Sequence, residues 1–325
     1  MMWQILSVVG GLALLVWSAD RFVDGAAATA RHIGISPLLI GMVVIGFGTS
    51  APEIVVSLFA ALEGNPGLAL GNAYGSNIAN IALILGTTAL LKPITVHSQV
   101  LRRELPVLLA VTLFAWWLLS DGDFSRGDGL LQLLIFLLLL IAAIRFSGSG
   151  NRSEDALATE TDAEAAQMAL PDAIRWLIIG LLLLIAASRL VVWGAIGIAT
   201  TLGVSDLIIG LTVVAIGTSL PELAAGISAV RKNEHDLALG NIIGSNLFNT
   251  LLVAGIAGSV APHHIDAALL NRDLPLLAAL TLLLMLMAIG IRGPGRINRI
   301  EGGLLLLIFS GYTGWLILEV IRSHG

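Results

Sequence analysis

The 325-residue chain has no cysteine, few charged residues and few aromatics. Without thiols it can form no disulfide, thiolate metal centre or cysteine nucleophile. Charged side chains make up 12% of the sequence, about half of what a soluble domain carries, and there is no basic stripe of the kind that binds nucleic acid. Aliphatic residues take their place: 57% of the chain is hydrophobic and the mean hydropathy is +0.93. Apolar runs such as 274–291 reach the length of roughly 18–20 residues that a helix needs to cross hydrocarbon. This composition excludes a water-soluble fold. The opening run, 1–18, lacks the basic start and small-residue cleavage site of a signal peptide and reads as the first span.

The chain is written twice. Gly34-Ile-Ser-Pro-Leu-Leu-Ile-Gly41 returns as Gly203-Val-Ser-Asp-Leu-Ile-Ile-Gly210, an offset of 169. At the same offset Gly48-Thr-Ser-Ala-Pro-Glu53 returns as Gly217-Thr-Ser-Leu-Pro-Glu222, and Leu68-Ala-Leu-Gly-Asn72 as Leu237-Ala-Leu-Gly-Asn241. Gly75-Ser-Asn-Ile-Ala-Asn80 recurs as Gly244-Ser-Asn-Leu-Phe-Asn249, and Arg103-Glu-Leu-Pro106 as Arg272-Asp-Leu-Pro275. One ungapped offset held over about 70 residues marks an internal repeat.

The hydrophobic pattern predicts helices near 3–20, 37–62, 68–91, 103–120 and 128–146, then near 173–199, 206–230, 237–260, 272–291 and 301–321. An odd number of spans per copy makes the second copy enter from the opposite side. The expected fold is therefore an all-α polytopic membrane protein of ten transmembrane helices, arranged as two inverted five-helix repeats. The first repeat covers 1–146 with its core at 34–106, and the second covers 173–325 with its core at 203–275. Between them, 147–172 is polar and acidic and reads as a plain linker. On this arrangement 13 of the 17 Lys and Arg residues fall on one side. The positive-inside rule then puts both termini outside and the linker in the cytoplasm, within a plasma (inner) membrane.

Glu53 and Glu222 stand in the middle of apolar segments. A charge at that depth costs roughly 2.5 kcal/mol or more, which makes each acid a candidate functional residue. Pro52 and Pro221 precede them and cannot donate to the carbonyls of Gly48 and Gly217, so both segments are expected to kink and expose oxygen ligands beside the acids. An all-oxygen setting of this kind suits hard cations such as calcium. Asn72, Ser76 and Asn80 recur at helical spacing, as do Asn241, Ser245 and Asn249, giving one polar stripe on each of two further helices. Gly71/Gly75 and Gly240/Gly244 are small pairs that permit close helix approach, while Asn77 and Asn246 are equally well read as interhelical hydrogen-bonding groups. Three weaker features have plain readings. The segment 121–129 is an exposed turn without the Gly and Glu of a calcium loop. Arg103-Glu104 and Arg272-Asp273 mark helix starts. Asp20 and Arg189, at equivalent positions, could pair across the repeats.

The paired Gly-Thr-Ser-x-Pro-Glu and Gly-Asn-x-x-Gly-Ser-Asn motifs closely resemble the α-repeats of the cation/calcium exchanger superfamily, in its sodium/calcium branch. The resemblance implies a calcium site made by Glu53 and Glu222 with the carbonyls of Thr49 and Thr218. It implies flanking sodium sites from Ser50, Ser219, Ser76, Ser245 and the carbonyls of Gly46 and Ala215, completed by Asn80 and Asn249. Potassium-dependent members characteristically carry Asp at one of these last two positions, and the proton-coupled branch typically has Glu where this chain has Gly75 and Gly244. The implied activity is exchange of calcium for sodium by alternating access, electrogenic at three sodium ions per calcium. No catalytic residue and no resident cofactor are expected. The expected partners are calcium, sodium and the lipid bilayer, with the chain acting as a monomer. Calcium/proton antiport is the alternative. An intramembrane hydrolase lacks its Ser/His or Asp/Asp pairing, and inverted repeats with broken helices favour a carrier over a channel.

Overall fold

The computed structural model describes residues 1–98, 100–146, 168–203, 215–289 and 295–324. Its helices are α1 (Met2–Ile33), α2 (Pro37–Thr49), α3 (Ala51–Leu62), α4 (Pro66–Leu91), α5 (100–118), α6 (Arg126–Arg145), α7 (Leu170–Thr201), α8 (Ala215–Thr218), α9 (Leu220–Arg231), α10 (His235–Val260), α11 (Leu269–Met287) and α12 (Arg299–Glu319). Among the described residues, seven helices are long and apolar enough to cross a membrane, or eight if α2 and α3, bent by 46°, form one span. The stretch 204–214, which holds most of the recurring 203–210 motif, and nearly all of the expected linker lie outside the described residues.

The helices α1 and α7 are both 32 residues long; α1 runs well past the expected 3–20, whereas α7 exceeds the expected 173–199 by three residues at its start and two at its end. The first does not stop at its charges because each is accommodated. Asp20 accepts from Ser228 Oγ at 2.6 Å, Asp24 pairs with Lys232 at 2.5 Å, and the Arg21 guanidinium lies 5.9 and 5.2 Å from the ring centroids of Trp17 and Trp176. The helix ends instead at Gly34, whose φ of 72° gives the left-handed cap. Asp20 thus engages Ser228 rather than Arg189. Likewise α7 begins at Leu170, inside the stretch read as linker, because Pro171 is favourable at a helix N-terminus and Asp172 meets its positive dipole end.

Small residues set how the helices cross. Gly11 of α1 abuts Val191 of α7, Phe22 abuts Gly180, and Gly25 abuts Leu177, so these two helices run antiparallel at close range. Along α10 the order is reversed. Gly240 lies against Leu38 to Met42 and Gly46 against Gly244 and Ser245, so α2 and α10 run parallel. Of the two expected small-residue pairs, Gly240/Gly244 makes such an approach. Gly71 and Gly75 have no described atom within 4 Å of a built Cβ, and the segment repeating 38–42 falls within 204–214.

The helices α4 and α10 form the centre: 72% and 89% of their apolar windows are buried, against 11% for α6 and for α12. Leu134, Leu137, Leu182, Trp193, Leu307 and Trp315 face outward, as expected of side chains presented to lipid. Two short antiparallel ribbons depart from an all-helical chain. Residues 94–96 pair with 295–297, and 123–124 pair with 263–264. Each joins a connection in the first half to one in the second. Of the segment expected as an exposed turn, only its start turns, with Asp121 accepting from the Asp123 N–H at 3.1 Å; residues 123–124 form a strand with Phe124 buried, and 126–129 are the first turn of α6.

Candidate ion site

Each acid sits just beyond a helix break. In the first half the chain leaves α2 at Ser50 (φ −80°, ψ 3°) and re-enters a helix at Ala51, with Pro52 in its first turn. In the second it breaks at Ser219 (φ −89°, ψ 5°), with Pro221 in the first turn of α9. A proline at this point costs α3 and α9 nothing, since first-turn N–H groups have no intrahelical partner. The helix is broken at both motifs, and at the first the two pieces are bent by 46°. Gly217 O accepts from Ser188 Oγ at 2.8 Å, so this oxygen is occupied rather than open. Position 188 corresponds to Ala19 in the first half, so comparison of the repeats could not reveal it.

The two halves interlock at the acids. Glu53 and Glu222 are 0% and 1% exposed. Ser50 Oγ donates to Glu222 Oε1 at 3.3 Å, and Thr218 lies close to the Glu53 carboxylate, so each motif reaches the other's acid. Thr49 Oγ1 meets Asn241 Oδ1 at 3.1 Å and Ile45 O at 3.0 Å. The backbone behind each acid is held the same way: Asn72 Nδ2 donates to Glu53 O at 3.2 Å, and Asn241 Nδ2 donates to Glu222 O at 3.2 Å. Sequence reading put Asn72 and Asn241 on the polar stripes but did not assign them this anchoring role. The Gly46 carbonyl takes the Ser50 N–H at 3.1 Å and Ser245 Oγ at 3.4 Å.

The stripe residues turn inward as a second tier. Asn80 Nδ2 donates to Asn246 Oδ1 at 3.0 Å, and Asn77 Nδ2 donates to Thr250 Oγ1 at 2.7 Å. Both asparagines of uncertain role therefore bridge α4 and α10, and Asn246 also touches the candidate Asn80. Ser76 and Ser219 are buried, and Asn249 is fully so. Ala215 opens α8. Around Asn80 and Asn249 the helices widen into π turns, at Ala79–Leu85 and Phe248–Val253, a distortion often found at functional sites. No residue pattern announced these turns.

This pocket carries more acceptors than donors. Both carboxylate oxygens of Glu53, Glu222 Oε2, Asn80 Oδ1, Asn249 Oδ1 and Ser219 Oγ are buried without a hydrogen-bond partner of good geometry. Buried acceptors of this kind demand an explanation, and a cation that needs several oxygens supplies one. Among the described residues no three His, Asp or Glu side chains cluster as a metal site. The formal charge available to such a cation is therefore the two glutamates.

The model of the family described as sodium/calcium exchanger protein matches residues 3–145 and 173–318. The chain is 50% identical over 306 residues to the putative antiporter CaxA of Alkalimonas amylolytica, covering 94% of this chain and 96% of that one. It is 43% identical over 314 residues to the inner membrane protein YrbG of Escherichia coli K12, covering 96% and 95%. A solved structure of the sodium-calcium exchanger NCX_Mj, soaked with Na+ and Sr2+, superposes with a TM-score of 0.83 at 32% identity, covering 97% of this chain and 98% of that one. The chain is an integral membrane protein and belongs to the sodium/calcium exchanger family.

Proposed function

We propose that the chain exchanges calcium for sodium by alternating access, at three sodium ions per calcium. The observation that carries this reading is the pair of buried acids, Glu53 and Glu222, with carboxylate oxygens lacking partners and neutral oxygens around them. Two carboxylates neutralise one divalent ion. At ~4 Å and an effective dielectric near 20, each attracts it by about 8 kcal/mol before desolvation is subtracted. In this reading Glu53, Glu222 and the carbonyls of Thr49 and Thr218 hold calcium. Ser50, Ser219, Ser76, Ser245, Asn80, Asn249 and the carbonyls of Gly46 and Ala215 serve sodium. The asparagines supply oxygen without charge, so a third sodium ion leaves one net positive charge on the loaded carrier and makes the cycle electrogenic.

The architecture we infer for this cycle is ten spans in two inverted five-helix repeats, 1–146 and 173–325, with both termini outside. The antiparallel crossing of α1 with α7 and the parallel crossing of α2 with α10 support it, since these are the relative directions an inverted repeat produces. The name of NCX_Mj supports sodium as the coupling ion. Calcium uptake into proteoliposomes under sodium, potassium and proton gradients imposed in turn tests the proposal. Uptake driven by the proton gradient alone would replace it with calcium/proton antiport.

A further inference from the structure

The ends of α4 and α9 and the start of α12 enclose a cleft of about 550 Å³. Lys92, Arg231 and Arg299 line one part of it, Leu91, Ile227 and Val230 another, and no carboxylate lines it. The three cations sit at helix termini: Lys92 caps α4, Arg231 closes α9 and Arg299 opens α12. This places the cleft at the boundary between hydrocarbon and water.

Among the described residues the positive charge there is not neutralised from within. Lys92 Nζ donates to the neutral Asn233 Oδ1 at 2.5 Å, and Arg299 Nη2 donates to Leu91 O at 3.3 Å. Both bonds position the charge without cancelling it. Arg231 makes no ion pair or side-chain hydrogen bond among the described residues. Four described acids on this face are engaged elsewhere: Glu234 with Arg31 at 3.4 Å, Asp236 with His97 at 2.7 Å, Asp24 with Lys232 at 2.5 Å, and Glu301 with the Asn298 N–H at 2.7 Å. Beside the cleft, Leu90, Leu91 and Ile300 are exposed to 45%, 53% and 85%.

We propose that this cleft binds the phosphate headgroup of an anionic phospholipid, with the acyl chains lying along the exposed leucines and Ile300. Basic pockets between transmembrane helices at the membrane surface hold such headgroups, and each Lys or Arg there contributes on the order of 1 kcal/mol. A free phosphate would use the cations but not the adjoining apolar surface. A bound lipid would tie together the ends of α4, α9 and α12, two of which belong to the second half of the chain and one to the first.

The test is native mass spectrometry of the full chain released from micelles containing equal amounts of dioleoylphosphatidylglycerol and dioleoylphosphatidylcholine. The wild type is expected to retain phosphatidylglycerol preferentially. The double variant R231Q/R299Q is expected to lose roughly tenfold or more of that retention, and R231K/R299K to keep most of it. If the double variant does not fold, R231Q alone reads the same loss at smaller size, since no hydrogen bond among the described residues depends on that side chain. Equal retention of the two lipids, unchanged retention in the glutamine variants, or displacement of phosphatidylglycerol by millimolar inorganic phosphate would each overturn the assignment. The readout is lipid binding, so it stands or falls independently of which ions the protein exchanges.

Discussion

Ser50 Oγ of the first half lies 3.3 Å from Glu222 Oε1 of the second, and donates to it. The break that frees Ser50 from helical geometry belongs to one repeat, and the acid it serves belongs to the other. Neither half alone contains the complete proposed site.

Glu53→Gln and Glu222→Gln should each abolish calcium transport while leaving the protein folded, because each removes one of the two negative charges that the described residues bring to the pocket. Radioactive calcium uptake with gel filtration of the same preparations checks this. Ser50→Ala should be milder, lowering transport roughly tenfold, the scale of losing one hydrogen bond to a charged group. Uptake at wild-type rates in either glutamate variant would remove the site assignment.

Gly244→Ala should destabilise the protein severely. A Cβ there would stand 2.7 Å from the Met42 Cα and closer still to the Met42 carbonyl, so α2 and α10 would have to separate at the level of the site. Gly311→Ala, where nothing described lies within 4 Å on an exposed face of α12, is the control. Thermal unfolding in detergent should distinguish the two, and equal melting temperatures would contradict the close crossing.

Ser188→Ala should cost about 1–3 kcal/mol, the usual penalty for leaving a buried carbonyl without its donor. The Gly217 carbonyl that loses its 2.8 Å bond lies in the motif that leads to Glu222, so calcium uptake should fall together with stability. A variant as stable and active as wild type would show that Ser188 is dispensable to the break.

With no native cysteine, Ser153→Cys and Ser323→Cys report the orientation without background. An impermeant thiol reagent on intact cells is expected to label position 323 and not position 153. The reverse pattern would invert the topology.

Much of the candidate site could be read from the chain, because a costly intramembrane acid behind a Thr-Ser-x-Pro break occurs at both 53 and 222. Repetition made a packing explanation of each proline less economical than a shared chemical one. What stayed hidden depended on partners distant in sequence. The length of α1 could not be foreseen, since Asp20 and Asp24 are tolerated through Ser228 and Lys232, more than 200 residues away. The donor to Gly217 O was hidden because Ser188 has Ala19 as its counterpart. The π turns around Asn80 and Asn249 leave no mark in composition.

The central claim is sodium-driven, electrogenic calcium exchange. It is tested most directly by calcium uptake into sodium-loaded proteoliposomes diluted into sodium-free medium, with the voltage set by potassium and valinomycin. The account predicts that uptake requires internal sodium and accelerates when the interior is made positive, because three sodium ions leave for each calcium that enters. Uptake that proceeds without sodium, or that ignores the imposed voltage, would contradict it.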